Sequence, residues 1–157
     1  MDSKNLIVKE LITKSASETE NTAEQIGSRL RGGEVIELVS DLGGGKTTFA
    51  RGLARGAGSK DQVASPSFTI KREYRAPNLA IHHFDFYRLK EPGLIQHDLA
   101  EVLDSSNDVV VVEWADIVKG VLPINRLSVH LITTGEYSRR IVFSVPKSLK
   151  YLLEELK

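Results

Sequence analysis

The sequence predicts an α/β fold in one domain, residues 1–157, with a mixed central sheet flanked by helices. Three observations predict it. Val35-Ile36-Glu37-Leu38-Val39 is a short β-branched run that ends directly in a glycine-rich segment, and a helix-forming stretch follows that segment. Val109-Val110-Val111-Val112 is uninterrupted and β-branched, the pattern of a strand buried on both faces of a parallel sheet. Leu127, Val129 and Leu131, then Ile141, Phe143 and Val145, alternate with other residues, as in a terminal antiparallel pair.

Taken in order, the start through Leu6-Ile7-Val8 is too short for a signal-peptide core or a membrane span before charges return. Ser17-Glu18-Thr19-Glu20 has the form of a capping box, and Ala23, Ile26, Gly27 and Leu30 follow at helical spacing up to a stop at Gly32-Gly33. After the 35–39 strand and its loop, Thr47–Arg55 reads as a helix that stops at Gly56-Ala57-Gly58. Ser67–Tyr74 and Leu79–Phe86 read as a hairpin around Ala76-Pro77-Asn78. The valine run sits centrally, the antiparallel pair follows, and Leu152 and Leu153 close the chain in a short helix. No repeat or linker interrupts the 157 residues, a length that closes a hydrophobic core without disulfides.

Composition narrows the function classes. Twenty-one basic and 21 acidic residues balance to zero, so no global field draws the chain to DNA, RNA or an anionic membrane, and any RNA link is indirect. The absence of cysteine excludes thiol catalysis and thiolate metal sites and fits a cytoplasmic location.

The segment Ser40-Asp41-Leu42-Gly43-Gly44-Gly45-Lys46-Thr47-Thr48 carries the chemistry. Its Gly-Lys-Thr end matches the second half of a phosphate-binding P-loop, while Ser40 stands where the first glycine is expected. Backbone N–H groups of Gly43, Gly44, Gly45 and Lys46 can surround a phosphate because no Cβ blocks the approach. Lys46 then bridges β- and γ-oxygens, Thr47 Oγ ligates Mg²⁺, and the helix N-terminus adds its positive dipole end. The fold class is therefore P-loop NTPase-like, with ATP and Mg²⁺ as the expected ligands. Such sites need a second acidic residue at a neighbouring strand end, and Glu113, directly behind four valines, is the stronger candidate. Asp85 is the other, sharing one strand face with His83 and Tyr87. Neighbouring His82 and His83 point to opposite faces and are assigned no zinc. Trp114 is either a core filler or a wall of the pocket.

Asp41–Phe49, Ser65-Pro66-Ser67-Phe68-Thr69, His83–Leu89 and Glu113-Trp114 together resemble the TsaE (YjeE) family, in order and spacing, over nearly the whole chain. The resemblance implies a bacterial ATPase supporting threonylcarbamoylation of tRNA adenosine, acting on the TsaB–TsaD pair and touching tRNA only indirectly. By its motifs, Asp41, Leu42, Gly43, Gly44, Gly45, Lys46, Thr47 and Thr48 cradle the nucleotide. Thr47 and Glu113 serve the metal, Asp85 sits in the hydrolytic site with Glu113 and Lys46, and Arg139 reaches the nucleotide. The Ser65–Thr69 segment resembles the family's switch-like loop. Ser40 and Gly44 depart from the family's usual Gly and Ala. Strain follows at Ser40 if its φ is positive, and Gly44 reads as permissive. The stretch Glu91–Asp98 departs most, and no partner contact is carried over there.

Two other readings compete. A small-molecule kinase fits the P-loop alone, with Arg51 and Arg55 as phosphate-gripping arginines, although both lie on the helix behind the loop. A nucleotide-sensing interaction module without useful hydrolysis also fits. A GTPase does not, because no Asn-Lys-x-Asp segment follows the loop.

Overall fold

The computed structural model describes residues 5–41, 43–66 and 68–157. Seven strands, β1 (Leu6–Thr13), β2 (Val35–Val39), β3 (Lys71–Arg75), β4 (Ala80–Asp85), β5 (Asp108–Glu113), β6 (Leu127–Thr133) and β7 (Arg139–Pro146), form one sheet in the order β1-β7-β6-β2-β5-β4-β3. Strands β6, β2, β5 and β4 run parallel, and the antiparallel pairs β1–β7, β6–β7 and β3–β4 lie towards the two ends. The hairpin, the valine strand and the final antiparallel pair thus stand where sequence put them, with β3 starting at Lys71.

The interior of β5 explains its composition. Val109 and Val111 pack on the side of helices α1 (Ala16–Gly27) and α2 (Lys46–Gly56), among Ile26, Ile36, Phe49 and Leu53. Val110 and Val112 pack on the opposite side with Phe84, Phe86 and Leu99 of helix α3 (Ile95–Leu103). Both faces exclude water, so alternation has no place.

Four elements differ from the sequence expectation. Helix α1 is capped by Ser15, whose Oγ accepts the Glu18 N–H at 3.1 Å, and it ends at Gly27, well short of Gly32-Gly33. The capping pattern occurs twice in overlapping register, and strand β1, ending at Thr13, selects the earlier copy. Strand β1 itself, whose face is largely exposed, and helix α3 were absent from the expectation. The closing helix is a 3-10 segment, Lys147–Leu153.

Helices α1 and α2 touch through glycines. A Cβ on Gly52 would fall 2.6 Å from the Cβ of Ala23, closer than packed carbon atoms come, so the crossing requires glycine there. Arg55 seals the seam, meeting Glu20 at 2.7 Å and Glu24 at 2.6 Å, and the Glu24 hydrogen bond raises its pKa above the ordinary value. Among the described residues, no helix is long and apolar enough to cross a membrane.

Candidate functional site

The carboxyl edge of the parallel strands collects the predicted groups. In the sheet register Leu38 of β2 and Asp85 of β4 both pair with Glu113 of β5, so the exit of β2 and the two carboxylates form one row across three strands. The chain leaving β2 passes through Ser40 and Asp41, and the Asp41 carbonyl accepts the Gly44 N–H at 3.0 Å. Gly43 (φ 77°) and Gly45 (φ 102°) take left-handed conformations that a Cβ disfavours. Gly45 is the N-cap of α2 and has no side chain to satisfy the first-turn amides, which remain available to an anion.

Ser40 is not strained. The non-glycine residues with positive φ among those described are Ile70, Trp114 and Glu155. Gly44, read from sequence as merely permissive, is instead required beside Ser40: a Cβ on Gly44 would sit 2.7 Å from the Ser40 Cβ and overlap its hydroxyl. That hydroxyl donates to the Asp41 carbonyl at 2.8 Å.

Gly43, Gly45, Lys46, Thr47, Thr48, Asp85 and Glu113 line one cleft of about 260 Å³, joined by Ser65 and Trp114. Lys46 is 7% exposed; its Nζ donates to the Ser40 carbonyl at 3.3 Å, lies 3.8 Å from Glu113 Oε1 and sits 4.4 Å above the Trp114 ring. Trp114 is thus a pocket wall, braced by Tyr87 with ring centroids 4.9 Å apart. Its left-handed backbone (φ 55°, ψ 54°) turns the chain sharply after Glu113, a conformation costing about 1–2 kcal/mol for a residue with a Cβ. Asp85 is buried, and its Oδ1 accepts the Tyr87 N–H at 2.9 Å. The lining oxygens of Thr47, Asp85 and Glu113 are hard donors of the kind Mg²⁺ takes when waters and phosphates complete its shell.

The other predicted residues lie around this cleft. Asp41 is exposed, Gly44 is buried beneath the loop, and Leu42 lies outside the described residues. Arg139 is on the far side of the loop, where its Nε donates to the Gly44 carbonyl at 3.1 Å and its Nη2 to that of Gly43 at 3.4 Å. It borders a second cleft of about 210 Å³ with Ala16, Thr19, Glu136 and Tyr137, which shares Gly45 and Thr48 with the first. In the switch-like segment Ser65 reaches the cleft, Phe68 is exposed under the Arg88 guanidinium at 4.1 Å, and Ser67 is outside the described residues. Arg55, a phosphate ligand in the kinase reading, is instead engaged by α1.

Sequence reasoning missed what His83 does. It is fully buried, with Nε2 2.6 Å from Glu113 Oε2 and Nδ1 3.2 Å from the Tyr74 hydroxyl. The signal was its two-residue spacing from Asp85; the partner could not be read before the β4–β5 pairing was known. His82 faces the other way, 3.0 Å from Asp108 Oδ1.

Comparisons with known proteins bear on the family and the fold. A family model described as "Threonylcarbamoyl adenosine biosynthesis protein TsaE" matches residues 13–141. A TsaE protein of Bacillus subtilis (strain 168) is 36% identical over 92% of this chain and 90% of its own length. One from Rickettsia bellii (strain RML369-C) is 35% identical over 76% and 83%. The crystal structure of Bacillus subtilis YdiB superposes with a TM-score of 0.78 at 32% identity, covering 96% of this chain and 95% of that one. A match across most of the sequence and a shared fold lead to one statement: the chain belongs to the TsaE family.

Proposed function

We propose that this protein binds ATP with Mg²⁺ at the Gly43–Thr48 loop and hydrolyses it in support of threonylcarbamoyladenosine formation in tRNA, acting on a TsaB–TsaD complex. One observation carries the reading: Lys46, Thr47, Asp85 and Glu113 line a single cleft at the N-terminus of α2. The loop amides and Lys46 hold the phosphates, and Thr47 with Glu113 holds the metal, which withdraws charge from the phosphoryl oxygens when bound. Glu113 and Asp85 orient water towards the terminal phosphate. Arg139 holds the loop from behind through the Gly43 and Gly44 carbonyls, and the second cleft beside it gives the nucleoside end an apolar wall in Tyr137. The relatives' names connect this chemistry to tRNA threonylcarbamoyladenosine biosynthesis.

The test is phosphate release with Mg–ATP alone, then with purified TsaB and TsaD, then with small-molecule kinase acceptors. Slow release alone and acceleration by TsaB–TsaD are expected. Acceleration by an acceptor in place of the protein pair would overturn the reading.

A further inference from the structure

We propose that His83 is a positioning residue that holds Glu113 away from Lys46, keeping the lysine available to phosphate; the inference rests on the nucleotide-binding reading above. The Tyr74 hydroxyl lies 3.0 Å from the Ala64 carbonyl, which can only accept, so the single hydroxyl proton goes there. Burial raises the Tyr74 pKa and keeps that proton in place. The Nδ1 of His83 then carries the hydrogen of its own bond to the Tyr74 oxygen, which fixes the ring, and a further hydrogen lies between Nε2 and Glu113 Oε2.

Glu113 is 3% exposed and divides its two oxygens: Oε2 is held by His83 at 2.6 Å, and Oε1 stands 3.8 Å from Lys46 Nζ. A buried carboxylate that loses a hydrogen-bond partner turns to the nearest cation, because an uncompensated buried charge is expensive. That cation is Lys46, whose chain is already curled back to the Ser40 carbonyl. Without His83, Glu113 closes on Lys46 and competes with phosphate for it. The Ala64 end of the chain adjoins Ser65, which lines the cleft, so the same hydrogen bonds tie the switch-like segment to the carboxylate.

The test is a double-mutant cycle read as Mg–ATP affinity from Trp114 emission, with folding checked by circular dichroism. His83→Ala is expected to weaken binding at least fivefold, and His83→Gln, whose amide can donate to Glu113, to stay within twofold of the wild type. In a Glu113→Gln background, where position 113 offers Lys46 no carboxylate, His83→Ala should leave affinity unchanged. Equal weakening in both backgrounds, or none in either, overturns the inference. Should His83→Ala fail to fold, Tyr74→Phe cuts the same chain by removing only a hydroxyl; it is expected to weaken binding two- to threefold, and wild-type affinity there overturns the inference. Wild-type protein that does not bind Mg–ATP overturns the underlying reading instead.

Discussion

Lys46 meets a carbonyl, a carboxylate and an aromatic face within 4.4 Å, an environment built to keep one ammonium inside the cleft. Lys46→Ala is therefore expected to abolish ATP binding, and Trp114, the only tryptophan, reports it directly: its emission should shift on adding Mg–ATP to the wild type and not to the variant. Glu113→Ala should keep much of the binding and lose phosphate release, and normal hydrolysis in that variant would remove Glu113 from the chemistry. At the loop base, Gly44→Ala is expected to destabilise the protein by about 1–3 kcal/mol through overpacking against Ser40, and adding Ser40→Gly should recover most of it. Thermal unfolding of the two single variants and the double variant measures the coupling. At this scale Glu113 was legible because four valines place it at a strand end, whereas the Tyr74–His83–Glu113 chain was not, since it is assembled by cross-strand register.

Among elements, helix α1 shows where local patterns stop deciding. Ser15 and Ser17 each stand three residues before a glutamate, yet only Ser15 caps the helix. Ser15→Ala should cost about 1 kcal/mol and Ser17→Ala close to nothing, a difference readable as unequal shifts in Tm. Strand β1 escaped notice because it is an edge strand whose residues are mostly exposed, so burial never imposed a two-residue period on it. The glycine-rich strand–loop–helix unit was legible apart from the Ser40–Gly44 contact, because the φ requirements and the burial of its described residues write themselves into residue type.

The molecule as a whole sets four parallel strands side by side, and the cleft's carboxylate row lies at the carboxyl ends of two of them, β4 and β5, not on the outer strands β1, β7 and β3. The α/β class could be read from the valine run and the loop, but the strand order could not, because nothing local distinguishes β6 from β4 as a neighbour of β2 or β5. If the cleft binds Mg–ATP, ligand at a hundredfold excess over Kd adds about 2.7 kcal/mol to folding stability. For a domain of this size Tm should rise by roughly 5–10 °C. Lys46→Ala should show no such rise.

The contact of Ser40 with Gly44 also sets an order in which the two residues can be exchanged. From a glycine at 40 and an alanine at 44, a serine introduced first would collide with the alanine methyl group, whereas a glycine introduced first at 44 opens the space the serine occupies. Only one order of the two changes runs through a well-packed intermediate. Reversal carries the same asymmetry: alanine at 44 alone meets the Ser40 side chain, whereas glycine at 40 alone only removes that contact.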